Sequence, residues 1–151
     1  MVGMLAQGFG VSLQIFFLTL LGALPLGVVV ALARMSRFKP LALITRFYIS
    51  VMRGTPLMLQ MFAIFFGISL GTDYKFPACI IAFIINYAAY FAEIYRSGIQ
   101  SIPQGQYEAA HVLGYSRFQT FMLIILPQVI KRILPAMGNE IITLVKDTSL
   151  A

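Results

Sequence analysis

Residues Ser101–Pro135 read SIPQGQYEAAHVLGYSRFQTFMLIILPQVIKRILP, the longest polar interruption in an otherwise apolar chain. The stretch is punctuated as two short helices. Ser101 with Gln104 three residues on has capping-box spacing, and Pro103 suits a first helical turn. Gly114 supplies a C-terminal stop. Ser116 with Gln119 repeats the capping-box spacing and opens the second helix, from Arg117 to about Leu126, which Pro127 is expected to break. Between the caps lie Glu108, Ala109 and Ala110. Ala110 and Gly114, four residues apart, share a helix face with almost no side chain on it. Such a face lets another surface come close, so a hairpin over about 101–126 is expected to fit a groove on a soluble partner.

The surroundings of this hairpin are those of a membrane protein. Of the 151 residues, 60% are apolar and 11% charged, with a mean hydropathy of +0.88; ordinary domains run about 45–50% and about 25%. The net charge of +6 could suggest nucleic acid. In a membrane chain basic residues instead mark cytoplasmic loops. The single Cys79 and single His111 exclude a disulfide framework and any multi-histidine metal site.

Outward from the hairpin, four membrane spans are read. The first covers about Gly10–Ala33, within a stretch free of charged side chains. Arg34, Arg37, Lys39, Arg46 and Arg53 follow, which places that loop in the cytoplasm and the N-terminus outside. Within the loop, Leu41, Ile44, Phe47, Tyr48 and Val51 recur at helical spacing and predict an amphipathic helix. Arg53-Gly54-Thr55-Pro56 predicts a helix break at the mouth of a second span, about Gly54–Thr72. A third runs over about Phe76–Tyr95, with Asn86, Tyr90 and Glu93 in one stripe. The fourth runs over about Gln128–Thr148 and carries Asn139, Glu140, Lys146 and Asp147. Ionisable and polar groups inside spans face other helices or a water-filled path. Asn86, Tyr87, Tyr90 and Glu140 are therefore candidates for lining a substrate path.

No phosphate-binding loop, nucleophile elbow or metal-ligand spacing occurs, so catalysis is not expected of this chain. The hairpin imitates a DNA-binding helix-turn-helix, but its second helix, FQTFMLIIL, is too apolar for a major groove, and no nucleic-acid partner is expected.

Five segments in order carry a family resemblance: Arg53-Gly54-Thr55-Pro56-Leu57; Ala89-Tyr90-Phe91-Ala92-Glu93-Ile94-Tyr95-Arg96; Gly105-Gln106 with Glu108-Ala109-Ala110 and Gly114; Leu126-Pro127-Gln128; and Lys146-Asp147-Thr148-Ser149-Leu150. Together they resemble the permease subunit of bacterial ABC importers for polar amino acids, the histidine/glutamine/glutamate/arginine group of type I importers. The resemblance covers nearly the whole chain. It implies an all-α polytopic membrane fold of five spans in the inner membrane, with the N-terminus outside. Four spans are present and a fifth would follow Ala151, which gives the chain the look of a single permease domain truncated at its C-terminus. It implies pairing with an identical or different second permease, two partner ATPases that carry ATP and magnesium, and an extracytoplasmic amino-acid-binding protein. No cofactor is then expected in this chain. It also assigns coupling to the ATPase to Glu108, Ala109, Ala110 and Gly114.

On the residues alone, an ion-coupled secondary transporter or channel is the competing reading. It needs no protruding hairpin, and the internal repeats common in that class are not visible. The topology is directly testable. In a Cys79→Ser background, Thr72→Cys and Gln104→Cys should react with impermeant maleimide from opposite faces of the membrane; reaction from the same face would overturn the layout.

Overall fold

A computed structural model describes residues 1–68 and 74–151. Among these residues every regular element is helical. In order they are α1 (Val2–Arg34), α2 (Lys39–Gly54), α3 (Leu57–Ile68), α4 (Lys75–Gln100) and α5 (Gln104–Val112). A continuous run follows: α6 (Arg117–Gln119), a π-helical segment (Thr120–Ile125), α7 (Leu126–Asp147) and a closing 3-10 turn (Thr148–Leu150). Three helices are long and apolar enough to cross a membrane: α1, α4 and the run Arg117–Leu150. The pair α2 and α3, bent by 111°, passes the same test only when taken together, as a broken span or a re-entrant loop. Gly71–Lys75, whose balanced charge and glycine predict a short turn, lies for the most part outside the described residues.

The architecture is built around α4, against which α1, α2, α3 and α7 all pack. A central helix must bury most of its circumference, and α4 buries Ala78, Ala82, Phe83, Asn86, Tyr87, Ala88, Ala89, Phe91, Ala92 and Gly98. Its alanines admit neighbouring backbones. Its aromatics fill the gaps between them, with Phe83, Tyr87 and Phe91 at four-residue spacing and the Phe83 and Tyr87 rings parallel at 6.3 Å. The matching face of α1 is Ile15, Thr19, Ala23, Gly27 and Ala31, also spaced by four. In lipid, helices gain nothing from hiding apolar surface from water, so small residues that allow close van der Waals approach supply the attraction. Pro25 leaves α1 continuous, as lipid-embedded helices tolerate.

Two local expectations change. First, Ser101 and Gln104 form no capping box. Ser101 is instead the C-cap of α4, and its hydroxyl donates to the Gly98 carbonyl at 2.7 Å. Pro103, extended at φ −60° and ψ 143°, takes the N-cap position, so Ser101 lies too far upstream to serve. The Ser116–Gln119 box forms in full. Second, Pro127 does not end the second hairpin helix. The π-helical turn just before it lets the Leu126 amide reach back five residues to the Phe121 carbonyl. The wider turn relieves the clash that a proline ring makes in a regular helix, and the chain runs straight on into α7.

A close approach between α1 and α4 gives a stability test. A Cβ added at Gly27 would lie 3.0 Å from Phe91 Cβ and 3.2 Å from the Tyr95 ring, whereas one at Gly8 would meet nothing within 4 Å. Gly27→Leu should lower the thermal unfolding midpoint of the detergent-solubilised protein, by an overpacking cost of about 1–3 kcal/mol, and Gly8→Leu should leave it unchanged. Equal midpoints for the two variants would remove the α1–α4 contact from this account.

Candidate functional site

Two places concentrate chemistry. The first is a cleft of 490 Å³ between α4 and α7. Tyr90, Glu93 and Ser97 of α4 and its C-cap Ser101 line it at helical spacing, and Arg132, Ala136 and Glu140 line it from one face of α7. Arg53 enters from the end of α2. Its guanidinium lies 5.6 Å from the centre of the Tyr90 ring and 4.0 Å from Glu93. Glu93 is held chiefly by Arg96, which donates to it through both Nε and Nη2. At the other end of the cleft, Arg132 donates to the Ser101 carbonyl at 2.7 Å. Glu140 is half-buried and has no ion-pair partner among the described residues. The cleft therefore presents guanidinium groups, an aromatic face and one uncompensated carboxylate.

Of the four path candidates, Tyr90 and Glu140 line this cleft, and Asn86 and Tyr87 do not. Asn86 is 3% exposed and is spent on the break between α2 and α3. Pro56 has no N–H to give to the carbonyl four residues back, which is Met52. The Asn86 amide donates to that carbonyl at 3.1 Å and the Gln60 amide at 3.0 Å. Asn86 also donates to Gln60 Oε1 at 2.9 Å, and Thr55 Oγ1 caps the Val51 carbonyl at 2.7 Å. The break is thus closed from within, as a lipid environment requires. Tyr87 lies in the aromatic core, and its hydroxyl donates to Asp147. Asn139 is exposed and away from the cleft. Arg53 and Arg132 were not among the residues singled out as path candidates. Each could be read in sequence as a loop or interface cation, and only the 111° bend and the run of α7 bring the two to one cleft.

The second place is the hairpin. Gly114 has φ +81°, and its amide bonds the His111 carbonyl while the Tyr115 amide bonds the Ala110 carbonyl. This pair of bonds is a Schellman motif, which needs a left-handed residue at Gly114. The small face read from the sequence divides. Glu108, Ala109 and Gly114 are exposed, but Ala110 is 1% exposed. Helix α5 packs on the π-helical segment, and Ala110 is the residue it buries there, so it is unavailable to a partner. The open end of the hairpin instead shows Val112, Leu113 and Phe118, exposed by 84%, 73% and 74%. Their signal in the sequence was their position: apolar residues in the most polar stretch of the chain. The hairpin is fastened to α7 through Ile102, Ile125 and Val129 and by a Gln128–Gln106 side-chain bond of 3.0 Å.

Comparison with known proteins fits this arrangement. Residues 23–151 match the family described as binding-protein-dependent transport system inner membrane component. The L-cystine transport system permease protein TcyB of Bacillus subtilis is 39% identical over 150 residues, covering 97% of this chain and 64% of that protein. The arginine transport system permease protein ArtQ of the same organism is 41% identical over 147 residues, covering 95% and 67%. A putative glutamine transport system permease protein GlnP of Rickettsia bellii is 36% identical, covering 97% and 68%. A crystal structure of an amino acid ABC transporter with histidines superposes with a TM-score of 0.81 at 39% identity, over 92% of this chain and 66% of that one. The chain thus spans about two thirds of the length of the relatives it matches, and it belongs to the binding-protein-dependent transport inner membrane component family, among the amino-acid ABC permeases.

Proposed function

We propose that this chain is the transmembrane subunit of an ATP-driven importer that moves a polar amino acid across the cytoplasmic membrane. The observation that carries the reading is one of continuity. The helix bearing Glu140 and Arg132 runs without interruption into the second hairpin helix, against which α5 packs, so the charged cleft and the docking end are joined by one continuous helix and one packed contact. An amino acid carries an ammonium and a carboxylate. A cleft offering Glu140 at one end, Arg53 and Arg132 as cations, and Tyr90 between them matches both charges. In this reading Asn86 and Tyr87 hold the walls in place.

The hairpin over 101–126 then docks on a separate ATPase, which binds ATP and magnesium; this chain holds no cofactor. Glu108, Ala109 and Gly114 face that partner together with Val112 and Leu113, and Ala110 fixes the shape of the hairpin from inside. A second permease, identical or different, completes the path, and an extracytoplasmic binding protein delivers the amino acid. The N-terminus lies outside, and the spans at about 10–33, 54–72, 76–95 and 128–148 make one permease domain.

Ala109 and Leu113 are exposed, so changes there test docking without disturbing the fold. Ala109→Trp and Leu113→Asp should each lower ATPase pull-down and substrate-stimulated hydrolysis by about tenfold, the equivalent of overfilling a fitted groove, with unchanged helix content. Wild-type levels in both would show that the hairpin is not the coupling element. Glu140→Gln should instead reduce ATP-dependent uptake in proteoliposomes while ATPase binding stays at the wild-type level. Unchanged uptake would reduce Glu140 to a packing role.

A further inference from the structure

Five cations, Arg34, Arg37, Lys39, Arg46 and Arg53, precede the first acidic residue of the chain, Asp73. Arg53 is matched by Glu93 and the Tyr90 ring. The other four form no ion pair among the described residues. Three of them, Arg34, Lys39 and Arg46, surround one cleft of 510 Å³ where the end of α1 meets the start of α2, with Ser36 and Leu43 in its wall. Lys39, Leu43 and Arg46 are spaced by four and three, so they form one stripe along α2. No carboxylate lines this cleft. Around it, Phe38, Leu43, Ile44 and Phe47 are all at least 65% exposed.

We infer that this cleft is a binding site for the phosphate of an anionic phospholipid headgroup. Three cations around one cleft, none in an ion pair among the described residues, call for an anion. The exposed apolar side chains beside them decide its source: a free phosphate has no use for Phe38, Ile44 and Phe47, whereas a lipid lays acyl chains on them. Basic residues on one face of an amphipathic helix with large apolar side chains on the next are the pattern of a helix lying at an anionic membrane surface. The site is distinct from the transport cleft, shares no residue with it, and rests only on the chain being membrane-embedded. Its occupation would anchor the α1–α2 corner and fix the depth at which α2 lies.

The test uses the full chain in nanodiscs of phosphatidylcholine containing phosphatidylglycerol, followed by native mass spectrometry of the lipid retained on release. Wild type should retain phosphatidylglycerol in preference to phosphatidylcholine. The combined variant Arg34→Gln, Lys39→Gln, Arg46→Gln should lose that preference by about tenfold or more. Arg46→Gln alone should lose part of it, and Lys131→Gln, an exposed cation on α7, should keep it. Millimolar inorganic phosphate should not displace the lipid. Undiminished retention in the combined variant with native helix content overturns the site, and displacement by phosphate overturns the lipid as its source. Loss of self-association in the variant, with lipid retention intact, would mean that a second copy covers this face and would equally overturn the proposal. Because the readout is lipid retention rather than uptake, failure here is distinguishable from failure of the transport reading.

Discussion

The structure depends on closing one gap in a backbone. Where α2 gives way to α3, Pro56 leaves the Met52 carbonyl without its helical donor, in a molecule whose surroundings offer little water to replace it. An unsatisfied buried carbonyl costs about 1–3 kcal/mol. Asn86 and Gln60 remove that cost by donating to the same oxygen. The closure has two consequences. It fixes α3 back along α4 instead of letting it continue away, and it holds Arg53 at the lip of the bend, within reach of Glu93 and Tyr90. The polar groups of α4 therefore divide into those that seal the wall and those that face the cleft, although Asn86, Tyr90 and Glu93 lie within two turns.

The other organising fact is that α7 is an extension of the hairpin. A proline at the junction would ordinarily insulate one from the other. The π-helical turn before Pro127 keeps the rod continuous, and the apolar cluster of Ile102, Ile125 and Val129 ties the root of the hairpin to it. Force applied at Leu113 or Ala109 thus reaches Arg132 and Glu140 through the packing of α5 on the π-helical segment and on through the continuous helix of α7.

Much of this was legible in the sequence. The helices, the break at Gly54–Pro56, the cap at Ser116 and the stop at Gly114 follow from local chemistry that does not depend on the rest of the fold. What misled was orientation. The stripe Leu41, Ile44, Phe47, Tyr48 and Val51 correctly marks α2 as amphipathic, yet of these only Tyr48 packs inward, its hydroxyl on the Ile85 carbonyl; the other four point outward, and Thr45 and Ile49 point inward. In water the apolar side would be the buried one; in lipid that rule loses its force, and the smaller, more polar face can pack against protein. The same inversion hid the role of Asn86, since a polar residue in a span reads as a path residue until the carbonyl it serves is located. The phase of Ala110 was hidden for a different reason: it is set by contact with the π-helical segment, which no local pattern announces. Arg132 could not be assigned to the cleft without knowing that α7 passes through Pro127.

That π-helical turn makes the chain count residues. A π turn holds one residue more than an α turn, and each residue advances a helix by about 100°. Arg132, Ala136 and Glu140 share a face of α7, and the azimuth of that face is set by how many residues separate it from Pro127. Between the Ser116 cap and Pro127 the wider turn holds one residue more than a plain helix would, so removing one there would restore ordinary helix and leave the face of α7 nearly in place. After Pro127 the helix is regular, and removing one residue between Pro127 and Glu140 would rotate the carboxylate of Glu140 by about 100°, out of the cleft, without altering a single residue that lines it.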